Sequence, residues 1–256
     1  MKKIILLAFL FFAAGISRGI ASQGKVEIGV DEKLGQTLPG DVELYDESGN
    51  LTRLNAVLNK PTILVLVYYR CPGVCTPLLT DMTKVVDQMD LVPGKDYQIL
   101  TVSFDPTETP DLAADKKDTY LGELRKTIDP NGWRFFTGDS ANVRRLTDAA
   151  GFYYKKDGTN WIHPTSVIAV SPRGEITRYL YGIHQLPLDV KLAVMEASAG
   201  RTGPTIAKVM NFCYAYDPEG KHYTFNFVHV AGSLVLGLTA VFMLIFIVIP
   251  KWKAKR

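Results

Sequence analysis

The segment from Thr62 to Tyr69 constrains the fold of this chain more than any other. It is an unbroken run of β-branched, aliphatic and aromatic residues, which is typical of a strand buried on both faces of a mainly parallel sheet. A turn that contains Cys71 and Cys75 follows the run directly. Apolar residues then recur at three- and four-residue spacing as far as Met89, which predicts an amphipathic helix packed on the sheet. The predicted order is therefore strand, cysteine turn and helix.

Strands and helices continue to alternate beyond this unit. A second buried strand, Tyr97–Phe104, stops at Asp105-Pro106, and a helix is predicted from Thr109 to about Leu124. Further patterns predict a strand and a turn within 42–50, a short strand at 133–136, a helix at 140–150 capped by Ser140, a hairpin of Thr165–Val170 with Glu175–Tyr181, and a last helix at 188–199. Together these elements indicate an α/β sandwich with a mixed central sheet.

The N-terminus has the features of an export signal. Two lysines follow Met1, an uncharged apolar run extends from Ile4 to Ala14, and the small residues of Gly19-Ile20-Ala21 suit a signal-peptidase site. Because the run is shorter than the roughly 20 residues of a typical membrane span, cleavage is favoured over an uncleaved anchor. We therefore predict a signal peptide at residues 1–21.

The C-terminus predicts a membrane anchor. From Val230 to Ile249 the chain has twenty residues without a charge, enough to cross a hydrocarbon core of about 30 Å as a helix. Trp252 and four basic residues follow Pro250, and such positive charge marks the cytoplasmic side. The sequence thus predicts a domain at 22–200 on the periplasmic or extracytoplasmic side of a cell membrane, a linker at 201–228, a transmembrane helix at 229–250 and a cytoplasmic tail at 251–256.

The charge distribution excludes a nucleic-acid-binding function. The chain carries 29 basic and 26 acidic residues, but Lys2, Lys3 and the four basic residues of the C-terminal tail lie outside the predicted domain. Acidic residues therefore outnumber basic ones in the rest of the chain, whereas a nucleic-acid binder needs clustered Lys and Arg to displace counterions. No nucleic-acid partner is expected.

The cysteine turn carries the main chemical signal. Cys71 and Cys75 are four residues apart at a predicted helix N-terminus, so a helical turn would place both sulfur atoms on one face. The positive end of the helix and Arg70 are expected to lower the pKa of both thiols, and the thiolate is the form that binds metals or attacks disulfides. A structural disulfide is the alternative, although closing so small a loop constrains little of the unfolded chain. Cys213 has no partner in the sequence and is predicted to be buried among aromatic residues, with an exposed third thiol as the alternative.

A metal site needs a third ligand, and His163 is the best candidate among the four histidines. It precedes Pro164 and a predicted buried strand, so it lies at a sheet edge, where α/β folds place their sites. His184 is predicted to lie in a solvated loop, whereas His222 and His229 lie next to the predicted membrane span. Two thiolates and one imidazole suit copper(I) better than magnesium or calcium. Zinc is the rival, but this ligand set could hold zinc only in a site that stays open to solvent.

The assembled residues resemble the Sco/SenC family of copper-binding, thioredoxin-like proteins. The stretch from Leu66 to Cys75 is similar to the family's strand and C-x-x-x-C turn, in which the cysteines are one residue further apart than in thioredoxins. Residues 102–110, with Asp105 and Glu108, are similar to the family's acidic segment. His163 stands where the family has its distal histidine, just before a strand and a hairpin.

This resemblance, which covers residues 26–181, implies a thioredoxin-like three-layer sandwich that acts as a copper chaperone. Cys71, Cys75 and His163 would bind copper, as copper(I) in preference to copper(II), and Asp105 would support the site. The copper would pass to the terminal-oxidase subunit that carries the CuA centre. A thioredoxin-like reductant would be a further partner, since the family is also linked to thiol reduction of that centre.

Two enzymatic functions are alternatives. In a thiol-disulfide oxidoreductase, Cys71 would be the attacking thiol and Cys75 the resolving thiol of a redox pair, and His163 would be dispensable. A peroxiredoxin-like peroxidase would also fit a thioredoxin-like core. A metallochaperone is favoured over either enzyme because the cysteine turn and His163 occur together in an exported, tethered domain.

Overall fold

Strands and helices alternate through most of the chain. The computed structural model describes residues 27–202, 214–217 and 222–225, together with residues 232, 235, 238, 239 and 242. The strands are β1 Gly29–Val30, β2 Glu43–Asp46, β3 Leu51–Arg53, β4 Thr62–Val67, β5 Gln98–Ser103, β6 Trp133–Thr137, β7 Phe152–Tyr153, β8 Lys155–Asp157, β9 Asn160–Ile162, β10 Ser166–Val170, β11 Ile176–Tyr181, β12 Tyr214–Asp217 and β13 His222–Phe225. The helices are α1 Leu54–Val57, α2 Cys75–Gln88, α3 Pro110–Gly122, α4 Ser140–Ala149 and α5 Pro187–Ala199, with a short 3-10 helix at Pro130–Gly132.

Seven of the described strands form one mixed sheet, in the order β11-β10-β4-β5-β6-β2-β3. The central strands β4, β5 and β6 are parallel, and the outer pairs are antiparallel. Every residue of β4 and β5 is buried, as expected for central strands that are covered on both faces. The arrangement confirms the predicted α/β fold with a mixed central sheet.

Helices pack on both faces of this sheet. On one face α2 contacts both α3 and α5, and Tyr120 of α3 stacks on Trp133 and Phe135 of β6. On the other face α4 packs against β2, where the side chains of Val143 and Leu44 both lie next to Gly138. The parallel strands end at a common edge of the sheet, and the cysteine turn follows β4 at that edge.

The helices and strands with a clear apolar pattern lie where the sequence predicts them. The short, exposed strands could not be predicted from the sequence. Helix α4 is capped by Asp139, whose carboxylate accepts the N–H of Asn142, so Ser140 is the first helical residue rather than the cap. The pairs β1–β7 and β8–β9 were not predicted. Their strands are two or three residues long, too short for an alternating pattern to stand out.

Part of the predicted linker is a hairpin. Strands β12 and β13 pair antiparallel within residues 201–228, where the sequence shows no clear periodicity. None of the helices in the described part of the chain is both long enough and apolar enough to cross a bilayer. The predicted signal peptide, the basic tail and all but five residues of the predicted span Val230–Ile249 lie outside the described residues.

Candidate metal centre

Three side chains that can ligate a metal converge at the sheet edge. The sulfur atoms of Cys71 and Cys75 and a ring nitrogen of His163 all lie within 4.8 Å of one another. Sγ of Cys75 is 3.7 Å from Nε2 of His163. A metal ion bound at about 2.3 Å to sulfur and about 2.0 Å to nitrogen would separate its ligand atoms by roughly 3.5–4.0 Å. The three side chains therefore fit one small ion without rearrangement of the fold.

The cysteine turn presents its two thiols differently. Cys75 is the first residue of α2 and is 3% exposed, whereas Cys71 lies four residues earlier in the turn and is partly exposed. The backbone N–H of Gly73 donates to Sγ of Cys71 over 3.4 Å. Both thiols are free. The pair thus lies at a helix N-terminus as predicted, although only Cys75 belongs to the helix.

The pKa values of the two thiols move in opposite directions. The hydrogen bond from the Cys75 thiol is the main cause that lowers the pKa of Cys71 to about 4, and the backbone N–H groups of Cys75 and Gly73 add to it. The same hydrogen bond and burial raise the pKa of Cys75. The prediction that both pKa values are lowered is therefore wrong for Cys75. Two sulfurs this close share one proton in the metal-free site, and the buried sulfur keeps it.

His163 is held in a defined orientation. Its Nδ1–H donates to the carbonyl oxygen of Pro164 over 2.8 Å, so in the neutral ring the lone pair is on Nε2, the atom that faces Cys75. The imidazole packs among the rings of Tyr68, Phe104 and Phe152, with centroid distances of 5.7, 5.1 and 6.3 Å. The ring is therefore positioned as a nitrogen ligand before any metal arrives.

Asp105 lies near the site without being one of the three converging groups. Its carboxylate accepts the indole N–H of Trp161 over 2.9 Å and two hydrogen bonds from Thr107. Trp161 lies in β9, two residues before His163. The hydrogen bond from Trp161 to Asp105 therefore holds the strand that precedes the histidine.

Two further residues lie beside the cysteines: Tyr68, which the sequence did not single out, and Glu108 of the acidic segment, whose contacts the sequence does not show. Burial and then a hydrogen bond with Cys71 raise the pKa of Tyr68 to about 12, so the phenol stays protonated next to the thiolate. Glu108 is buried and accepts the backbone N–H groups of Tyr69 and Arg70. A Tyr directly before the cysteine turn was visible in the sequence, but only the fold shows that its hydroxyl reaches back to Cys71.

Two of the remaining histidines belong to the described part of the chain, and the third histidine and the third cysteine do not. His184 is exposed, as predicted, and its Nδ1 is 3.1 Å from a carboxylate oxygen of Asp81. His222 is the first residue of β13. His229 and Cys213 fall outside the described residues.

The SCO1/SenC family model matches residues 30–189, which is more than half of the chain. The chain belongs to the SCO1/SenC family. The matched region contains all three converging side chains and the whole β4–β11 part of the sheet. Comparison with curated protein sequences found no match.

Solved structures resemble this SCO1/SenC chain over the described domain. A putative electron transfer protein from Aquifex aeolicus VF5 is 31% identical over 65% of this chain and 95% of that one, with a TM-score of 0.60. Arabidopsis thaliana ScoI, crystallised with copper bound, is 19% identical over 62% and 97% of the two chains, with a TM-score of 0.52. BsSco, a member of the Sco family of cytochrome c oxidase assembly proteins, is 19% identical over 67% and 98%, also with a TM-score of 0.52. The α/β fold is consistent with the thioredoxin-like fold that the sequence predicts.

Proposed function

We propose that this SCO1/SenC protein binds copper and delivers it to the CuA centre of a haem-copper terminal oxidase. The observation that carries the proposal is the convergence of two sulfurs and one imidazole nitrogen within 4.8 Å. Sulfur and imidazole ligands in a set of three suit copper(I), which accepts low coordination numbers. The copper bound to Arabidopsis ScoI and the description of BsSco as an oxidase assembly protein support this choice of metal and of receiving protein.

The difference in exposure between the ligands suits the transfer of a cargo ion. Cys75 is buried and His163 is held by its neighbours, whereas Cys71 is partly exposed beside the exposed Pro72 and Gly73. A ligand from a receiving protein can therefore replace Cys71 first, while the other two ligands keep the ion until the exchange is complete. Exchange of this kind avoids release of free copper.

The location of the protein belongs to the same proposal. The signal at residues 1–21, the uncharged run Val230–Ile249 and the basic tail support a single-pass protein of the cell membrane with a cytoplasmic C-terminus. The copper-binding domain would then lie on the extracytoplasmic side, tethered by residues 201–228. The usual anchor of the family is N-terminal, so this domain would approach its partner from a different point of attachment.

Transfer to a receiving domain tests the proposal. We expect copper(I) to move from the loaded full-length chain to an apo CuA-bearing oxidase domain, measured as the copper content of the two proteins after separation. A His163→Ala chain loaded at equal copper should lose its ion equally to the CuA domain and to free glutathione, because the ligand that retains the ion during exchange is missing. Copper that stays on the wild-type chain, or that leaves it no faster than from a copper–glutathione complex, would contradict delivery.

A thiol-disulfide oxidoreductase is the second candidate, and the asymmetry of the two thiols favours it. Cys71 is partly exposed with a low pKa, as an attacking thiol requires, and the buried Cys75 is placed to resolve a mixed disulfide. In this function Cys75→Ala should trap a mixed disulfide between Cys71 and a partner, and His163→Ala should have little effect. If the protein delivers copper, His163→Ala should instead impair its function.

A further inference from the structure

The loop between β5 and α3 contacts the backbone that precedes Cys71. Glu108 lies in this loop and is 5% exposed. Its Oε2 accepts the N–H of Tyr69 over 2.7 Å and the hydroxyl of Ser103 over 2.6 Å, and its Oε1 accepts the N–H of Arg70 over 2.7 Å. All three partners are donors, so the group acts as a carboxylate acceptor. Hydrogen bonds to a buried carboxylate are strong, and these fix the direction in which the chain enters the cysteine turn.

The same loop also contacts the strand that precedes His163. Oδ2 of Asp105 accepts the indole N–H of Trp161 in β9, and Oδ1 accepts the N–H and the hydroxyl of Thr107. Burial opposes ionisation, but these hydrogen bonds lower the pKa of Asp105 below its usual value. The Trp161 ring also packs on Phe104 at a centroid distance of 6.3 Å. Asp105 thereby fixes a residue two positions before His163.

Ser103 connects the two acidic residues of the loop, Asp105 and Glu108. Its hydroxyl donates to Glu108 and its oxygen accepts the N–H of Asp105 over 3.1 Å. Ser103 is the last residue of β5, which is hydrogen-bonded to β4 on one side and to β6 on the other. Through Ser103, both Asp105 and Glu108 are hydrogen-bonded to a central strand of the sheet, and strands hold a site more precisely than loops do.

We propose that Glu108 and Asp105 are positioning residues with separate targets: Glu108 acts on the metal site through the Cys71 turn, and Asp105 acts on it through His163. The inference rests on the proposed copper function and assigns to each acidic side chain the ligand that it orients. Groups that orient metal ligands contribute strongly to metal affinity although they do not touch the ion.

A double-mutant cycle separates the two targets. Glu108→Gln puts an amide donor against backbone donors, and Asp105→Ala leaves the indole N–H of Trp161 without its acceptor. Each change is made in the wild-type and in the His163→Ala full-length chain, and copper(I) affinity is measured by competition with a chelator. We expect a loss of about 10–100-fold for Glu108→Gln in both backgrounds. Asp105→Ala should cost about 10–100-fold in the wild type and less than about twofold when His163 is already absent.

The chain offers a matched control for Glu108. Asp87, near the end of α2, also accepts two consecutive backbone N–H groups, those of Arg125 and Lys126, each over 3.0 Å. Asp87→Asn should therefore resemble Glu108→Gln in its effect on the denaturation midpoint but leave copper affinity unchanged. Ser103→Ala, which keeps both carboxylates, serves as a milder variant should Glu108→Gln fail to fold, and it should lower copper affinity in the wild type.

Nuclear magnetic resonance of the metal-free chain gives a readout that needs no copper. Glu108→Gln should shift the backbone amide signals of Cys71 and Gly73, and Asp105→Ala should shift the ring signals of His163. An Asp105→Ala loss that is equally large in both backgrounds, or ring and amide signals that do not separate between the variants, would overturn the assignment. Absence of saturable copper binding by the wild-type chain would instead refute the proposed function, and the resonance pattern would still decide the positioning roles.

Discussion

Replacement of Cys75 by alanine is expected to weaken copper(I) binding by at least about a thousandfold, which corresponds to about 4 kcal/mol of binding free energy. The change removes the buried sulfur ligand and leaves the partly exposed Cys71 with His163. One sulfur and one nitrogen form an incomplete set for a soft ion, and water can enter from the open side. The affinity is measured on the reduced full-length chain under anaerobic conditions by competition with a copper(I) chelator.

Cys213→Ala is the control for this experiment, because it removes one thiol and leaves Cys71, Cys75 and His163 in place. We expect it to bind one copper(I) with wild-type affinity. A loss below about tenfold in Cys75→Ala, or an equal loss in both variants, would show that the ion is held elsewhere, since a tenfold change is only about 1.4 kcal/mol.

Gly151→Ala is expected to be strongly destabilising, with a loss of about 3–4 kcal/mol in the free energy of unfolding. Gly151 has a φ of +61°, and an added Cβ would lie 1.8 Å from the carbonyl oxygen of Asp31. The N–H of Asp31 also donates to the carbonyl of Gly151 over 2.8 Å, so the two backbones cannot separate without losing that hydrogen bond. The pairing of β1 with β7 depends on this close approach.

Gly158→Ala separates the conformational cost from the steric one. Gly158 has a φ of +60°, almost the same as Gly151, but nothing lies within 4 Å of an added Cβ. It should therefore cost only about 1–2 kcal/mol, the usual penalty of a left-handed conformation. Chemical denaturation of both variants measures the difference, and equal losses would mean that the contact with Asp31 does not constrain the fold.

Gly151→Ala is also expected to disturb the packing of the His163 ring in the metal site. Phe152 follows Gly151 and packs on the His163 ring at a centroid distance of 6.3 Å. Displacement of β7 should loosen that support, so the signals of the His163 ring should broaden or shift in Gly151→Ala and remain unchanged in Gly158→Ala.

The central sheet could be predicted from the sequence because burial on both faces leaves a direct signature. All six residues of β4 are apolar or β-branched and all are buried, and β5 is also fully buried, with four apolar or β-branched residues between Gln98 and Ser103. The β10–β11 hairpin has a turn signal and two long flanking strands. In contrast, β8 and β9 are mostly exposed and β1 has two residues, so their pairing depends on contacts between distant segments that no local pattern reveals.

The ligand residues of the candidate site and their order along the chain could be predicted from the sequence. Which of the two thiols keeps its proton could not. The spacing of Cys71 and Cys75 and the place of His163 before a strand are visible in the sequence. The opposite pKa shifts of the thiols depend on the short distance between the sulfurs and on the burial of Cys75. The hydrogen bonds of Glu108 link residues 39 and 38 positions apart, so its role follows only from the fold.

X-ray absorption spectroscopy of the copper(I)-loaded full-length chain tests the central claim most directly, because it reports the atoms bound to the ion. We expect one copper per chain with two sulfur neighbours and one imidazole nitrogen, and the loss of the nitrogen in His163→Ala. A copper environment without sulfur, or one that is identical in the wild type and in His163→Ala, would contradict the assignment of Cys71, Cys75 and His163 as the ligands.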